Sequence, residues 1–319
     1  MSNERIEYID RLRGLAMMLV VAGHVLFYCG YAASPLCYAI YAFHMPLFFV
    51  ISGWVNHYVW KPTDTWTYLK KTCLRLILPY AIWSMVYVVI QSLRIGGAID
   101  TAYSLLPVSD YWFIPCLFIL HWIHYAVCAI EGSVWKRACV LVGLLGVVIG
   151  LYVWTHYGLL KHVIAYILPY AFGVMLVRKP EVLKMITEKW WIALINTIVG
   201  VGLMVVYYYA PNGGSIAQVA RLICGLCMSS ALIYVYRKAS TMVWTLKWGK
   251  IESYIGKCTL GIYFIHFMLV REWILPADMG LALQAVTTIG SMAALIALCL
   301  GLMWVLGLMP YAGKILSGK

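Results

Sequence analysis

The sequence predicts an all-α, polytopic transmembrane helical bundle of about ten spans with both termini cytoplasmic. Hydrophobic residues make up 64% of the 319-residue chain and charged residues only 11%, against about 45–50% and about 25% in a soluble domain. Apolar runs long enough to cross a bilayer recur from near Arg13 to near Pro310, with short polar breaks between them. With the N-terminus placed inside, all of the 24 basic residues except Arg94, Lys161, Arg221 and Arg271 fall on one face, as the positive-inside rule requires. Together these exclude a soluble enzyme.

Backbone groups in hydrocarbon must be satisfied within their own segment, so the apolar runs are helices. The expected spans lie at 13–31, 36–58, 76–94, 111–130, 138–155, 163–177, 190–209, 217–236, 259–275 and 281–309. Ten crossings at about 20 residues use roughly 200 residues and leave roughly 120 for loops and ends, so one integral-membrane domain over 1–319 is expected. The net charge of +12 reads as retained cytoplasmic loops rather than a nucleic-acid surface. Glu4, Glu7 and Asp10 precede the first apolar run with no small-residue cleavage site, which predicts a retained first helix. The ten cysteines read as small apolar packing groups, including Cys224 and Cys227, whose redox-motif spacing falls mid-span. Trp60, Trp66, Tyr111, Trp112, Trp190 and Tyr209 sit near span ends, as interfacial belts do.

Ionisable groups inside membrane helices are costly, and each is a functional hypothesis. Arg13 and His24 are separated by eleven residues, almost three helical turns, so they share one face with His24 about 16 Å deeper. Asp10 stands one turn before Arg13, placed to pair with it. Arg11 reads as a snorkelling anchor, whereas Gly14 beside Arg13 permits close approach by another helix or a ligand. The second span carries His44 at about the depth of His24, two residues before Pro46, which frees a backbone carbonyl that His44 can satisfy. The following loop passes Lys70, Lys71 and Arg75, either topological anchors or a basic cradle for a multiply anionic ligand. His121 and His124 share a face but lack a third ligand at metal spacing, so no metal site is expected. Tyr263 and His266 lie one turn apart on the ninth span, and Arg271 and Glu272 are expected to pair near the outer surface. There is no Gly-x-Ser-x-Gly elbow, P-loop or dinucleotide fingerprint.

These motifs resemble acyltransferase family three, the polytopic bacterial enzymes that modify cell-surface sugars and related acceptors. The resemblance rests on Asp10, Arg13-Gly14 and His24; on Phe43-His44-Met45-Pro46-Leu47-Phe48-Phe49 with Ser52-Gly53, in a version like that of the fucose O-acetylase subgroup; on Arg75 with Pro79-Tyr80; on Trp112-Phe113; and on Gly256-Lys257 with Ile262-Tyr263 and His266. These cover the first 120 residues and roughly 250–270, leaving roughly 130–250 to hydropathy alone. Cys258-Thr259 stand where relatives often carry asparagine and serine.

The resemblance implies an acyl-CoA donor, most often acetyl-CoA, a glycan or lipid-linked sugar acceptor, and residence in the bacterial cytoplasmic membrane. It implies a catalytic set of His24, Arg13, Asp10, His44, Tyr263 and His266, with Arg13, Lys71, Arg75, Trp112 and Lys257 as donor-binding candidates and no metal. The phosphates, too costly to bury in lipid, would stay at the inner surface, and the pantetheine arm would carry the thioester to His24. A neutral histidine in an apolar setting suits general-base work on an acceptor hydroxyl. Two rivals stand beside this reading. One is a transporter or flippase lined by the same polar residues, opposed by the lack of an internal repeat and the few intramembrane carboxylates. The other is a membrane recognition module of a cell-wall amino-acid enzyme, here without the soluble partner that such modules carry.

Overall fold

The computed structural model describes residues 6–308 apart from 62, 96–109, 131–132, 211–213, 241–245 and 272. Every regular element among the described residues is helical: α1 (Glu7–Leu26), α2 (Pro35–Tyr58), α3 (Thr65–Thr72), α4 (Leu78–Ile95), α5 (Phe113–Ala129), α6 (Val134–Thr155), α7 (Gly158–Arg178), α8 (Pro180–Glu188), α9 (Trp190–Tyr209), α10 (Ser215–Ala239), α11 (Leu246–Lys257), α12 (Thr259–Val270) and α13 (Leu281–Gly307), with π-helical turns at Phe27–Tyr31 and Cys73–Ile77. Eight helical segments among the described residues are long and apolar enough to cross a membrane. The pair α11 and α12, bent by 79°, makes a ninth candidate span, and α5 is a shorter apolar helix. This is a multi-pass helical membrane protein, and each expected span has a counterpart in it.

Three expectations are corrected by local chemistry. The segment through Lys70, Lys71 and Arg75 is helical rather than a loop. It starts at Asp64, whose carboxylate accepts the Thr67 backbone N–H at 2.9 Å and is held below the usual carboxylate range by its hydrogen bonds to Thr67, the side-chain bond foremost. It continues through the π-turn into α4. The ninth span is broken: α12 is only 12 residues long and ends at Val270, so the expected stretch to 275 runs past its end. Tyr111, expected at the interface, is fully buried.

The chain divides into two compact units. The first comprises Met1–Val59 and Pro169–Val305; the second comprises Trp60–Leu168 and Leu306–Lys319. Within the first unit, helices meet at glycines that have no side chain to hold them apart. A Cβ on Gly14 would strike the Glu252 carbonyl oxygen, and a Cβ on Gly256 would strike the Asp10 carbonyl oxygen, so α1 and α11 touch backbone to backbone from both sides. The same reciprocal arrangement joins α2 to α7, where Gly53 lies against the Tyr170 carbonyl and Gly173 against that of Val50. Asn56 Nδ2 donates to Tyr170 Oη beside it, at 2.8 Å. α2 runs unbroken through Pro46, and Gly225 of α10 receives the ring of that proline, so it is a contact with a neighbour.

In the second unit the aromatic residues do the packing. Tyr68 stacks on Tyr125 with ring centroids 4.4 Å apart and donates to the His121 carbonyl, which ties α3 to α5. Trp112 stacks on His162 at 4.0 Å and on Tyr166 at 5.5 Å, which joins the start of α5 to α7.

Gly14→Ala and Gly256→Ala test the α1–α11 contact. Alanine favours a helix over glycine by up to about 1 kcal/mol, but rigid carbonyls occupy the Cβ positions, and overpacking at about 1–3 kcal/mol wins. Both substitutions are expected to lower the thermal unfolding midpoint in detergent. Gly143→Ala, whose Cβ meets nothing within 4 Å, is expected to leave it unchanged or raise it.

Candidate active site

The face of α1 that carries Arg13 and His24 is covered by α12, and each residue finds its partner there. Arg13 Nη2 donates to Thr259 Oγ1 at 3.2 Å, and the Thr259 hydroxyl donates to the Gly256 carbonyl at 3.0 Å. Asp10 Oδ1 lies 3.9 Å from Arg13 Nη1. The Arg13 side chain retains 27% exposure while that of Asp10 is buried, so the guanidinium is held by Thr259 and Asp10 without being fully enclosed. Thr259 is the first residue of α12, whose start at Cys258 has no side-chain cap. The positive end of that helix and Arg13 therefore converge at the N-terminal end of the face. Lys257, exposed, is the last residue of α11.

Toward the C-terminal end of α1, His24 Nδ1 lies 2.9 Å from His266 Nε2. The two ring planes are within 8° of parallel with centroids 5.2 Å apart, an edge-to-edge approach through ring nitrogens. His266 is completely buried, and its Nδ1 donates to the Ile262 carbonyl at 2.8 Å. Phe267 stands edge-on to His24 at 5.2 Å and Tyr28 at 6.0 Å. The Arg271 guanidinium lies over the rings of both, 5.3 Å from Phe267 and 5.4 Å from Tyr28. Its expected partner Glu272 lies outside the described residues.

His44 is buried, and its Nδ1 donates to the Ile40 carbonyl of its own helix at 2.8 Å. It packs against Tyr41 with centroids 4.9 Å apart. The imidazole hydrogen-bonded to His24 is His266. Tyr263 neighbours His266, with ring centroids 6.1 Å apart.

A family model described as an acyltransferase domain matches residues 6–308, which includes every residue of this arrangement. The chain belongs to the acyltransferase-3 family. Two curated relatives, both described as nodulation protein NolL, match shorter stretches. That of Mesorhizobium japonicum is 30% identical over 129 residues, 37% of this chain and 35% of the relative. That of Sinorhizobium fredii is 29% identical over 129 residues, 35% of this chain and 34% of the relative. The match thus spans about a third of the length of either relative. No solved structure matches the chain.

In this member of the family, then, the first unit holds Asp10, Arg13, His24, His266 and Tyr263 on α1 and α12, with His44 on α2 and Lys257 at the α11–α12 break. Lys71, Arg75 and Trp112 belong to the second unit: Lys71 on α3, Arg75 in the π-turn that follows, and Trp112 immediately before α5. Also in that unit, His121 Nδ1 donates to the Leu117 carbonyl, and His124 Nε2 lies 3.4 Å from Cys128 Sγ one turn on.

Arg11 overturns its sequence expectation. It is 5% exposed, and its Nε donates to Glu252 Oε2 at 3.0 Å. Tyr236 donates to the other carboxylate oxygen at 2.7 Å, and its ring lies 5.4 Å from the Arg11 guanidinium. Arg11 is therefore a buried ion-pair residue that ties α1 to α10 and α11. Sequence reasoning missed Glu252 because its partner is 241 positions away; the one available signal was a carboxylate among the lysines of an otherwise amphipathic segment.

Glu252→Ala is expected to cost about 3–5 kcal/mol by leaving a buried guanidinium unpaired, whereas Arg11→Met combined with Glu252→Met should recover most of that loss. Unfolding of the two variants in detergent distinguishes a paired buried charge from a snorkelling one, for which the single substitution would be nearly silent.

Proposed function

We propose that this protein is an acyl-CoA-dependent O-acyltransferase of the bacterial cytoplasmic membrane, moving an acyl group, with acetyl the first candidate, to a hydroxyl of a cell-surface glycan or lipid-linked sugar. The observation that carries this reading is the alignment on α1 of Arg13, bonded to the start of α12, with His24, bonded to His266, inside an acyltransferase-3 chain. The motif around His44 and Pro46 adds its likeness to the fucose O-acetylase subgroup.

Arg13, Lys257 and the positive end of α12 form the inner anion site, where phosphates remain near water. The pantetheine arm then follows the α1 face, whose two polar residues lie about 16 Å apart along the axis. His24 takes the proton of the acceptor hydroxyl as its oxygen attacks the thioester carbonyl. The C–S bond breaks, the new C–O bond remains in the ester, and the leaving thiolate takes the proton from the imidazolium. Asp10 holds Arg13 in place. Tyr263 is the candidate donor to the developing oxyanion, and His44 keeps the outer half of the cluster polar.

Incubating the purified protein with labelled acetyl-CoA and candidate glycans tests this directly. His24→Ala is expected to lower transfer by about 10²–10⁴-fold while the variant still inserts and folds. Arg13→Ala is expected to weaken acetyl-CoA binding and leave acceptor binding unchanged. Full transfer by the His24 variant would overturn the catalytic assignment, and unchanged acetyl-CoA affinity in the Arg13 variant would overturn the donor site.

A further inference from the structure

We infer that His266 is the positioning residue for His24: it fixes the tautomer in which His24 carries its proton on Nδ1, so that Nε2 is the nitrogen that accepts the acceptor's proton. This deepens the proposed function and rests on the reading of His24 as the base.

The deduction starts from the one atom in the chain of contacts that has no proton to give. The Ile262 carbonyl can only accept, so His266 Nδ1, 2.8 Å away, must carry a hydrogen. A second proton on the same ring would put a full charge on a side chain with 0% exposure at membrane depth, where lone charges are costly. His266 Nε2 therefore presents a lone pair. The atom 2.9 Å from that lone pair is His24 Nδ1, which must donate to it. One proton is then accounted for on each ring, and His24 Nε2 is left bare.

Ring geometry agrees with this assignment. The near-parallel planes, 8° apart with centroids at 5.2 Å, put the Nδ1–H bond along the in-plane lone pair of His266. Phe267 at 89° and Tyr28 at 71° flank the His24 ring and oppose its rotation out of that plane. His24 differs here from three other histidines of the chain. His44, His121 and His266 each donate Nδ1–H to the carbonyl four residues earlier on their own helix, whereas His24 directs Nδ1 across to α12. That single departure reverses which nitrogen is committed to a neighbouring helix and which faces away from it. The acceptor hydroxyl must accordingly reach His24 from the side opposite α12.

When His24 takes a proton at Nε2, its Nδ1–H bond to His266 becomes charge-assisted and stronger, so the pair is better matched to the protonated state than to the resting one. His266 itself gains and loses no proton in the cycle and touches no substrate.

The test uses the full chain in lipid nanodiscs with 15N-labelled histidine rings, the His24 resonances being identified by their loss in His24→Asn. Long-range 1H–15N couplings report which ring nitrogen is protonated, and acetyl-transfer kinetics are measured alongside. The wild type is expected to show His24 protonated on Nδ1. His266→Gln, whose amide oxygen still accepts from Nδ1–H, should retain that tautomer and keep kcat within about 10-fold, since the base itself is intact. His266→Leu should shift His24 toward protonation on Nε2 and lower kcat by about 10²–10⁴-fold with KM for acetyl-CoA unchanged, the scale of a base held in the wrong tautomer. Wild-type His24 protonated on Nε2 would overturn the inference, as would an unchanged tautomer and kcat in His266→Leu. The expected tautomers without any transfer from acetyl-CoA would instead sink the proposed function and leave the assignment of His24's proton standing.

Discussion

The backbone contact between α1 and α11 is the constraint on which the rest of the first unit depends. Gly14 and Gly256 each rest on the other helix's carbonyl, which fixes the two helices in register as well as in distance. Because α11 ends at Lys257 and α12 starts at Thr259, fixing α11 also fixes where the broken span resumes. The break delivers the start of α12 to Arg13 and its middle to His24. One steric requirement for two side-chain-free positions thus sets the positions of both polar contacts.

The N-terminal end of α1 gathers more charge than its C-terminal end, and the charges there serve different purposes. Arg11 and Glu252 are buried together and satisfied further by Tyr236; such a pair orients helices while adding little net stability. Arg13, two residues on, keeps partial exposure. Two arginines two positions apart on one helix thus differ, one buried in an ion pair and one partly exposed, because a rotation of about 200° turns them to different neighbours.

Much of this was legible in the sequence, and the reason is periodicity. Eleven residues from Arg13 to His24 amount to nearly whole turns, so their shared face needs no tertiary information. Gly14 likewise announced a close approach, though not which helix would make it. What stayed hidden depends on contacts between distant segments. Depth put His44 level with His24, and only the fold shows that His44 spends its Nδ1 on its own helix while His266 bonds to His24. The break at Cys258 carries no proline to mark it, so the ninth span reads as continuous. The basic residues at Lys71 and Arg75 and the tryptophan at Trp112 fall in a different compact unit from Arg13, a division that a run of uniformly apolar helices does not disclose.

The central claim is that a donor held at the inner end of α1 is used, across the depth of the membrane, on an acceptor approaching His24 from outside. Proteoliposomes with uniformly oriented protein test it most directly, with labelled acetyl-CoA confined to the cytoplasmic side and a membrane-impermeant glycan acceptor confined to the other. The account predicts label in the acceptor, abolished by His24→Ala. Label appearing only when donor and acceptor share one compartment would contradict it.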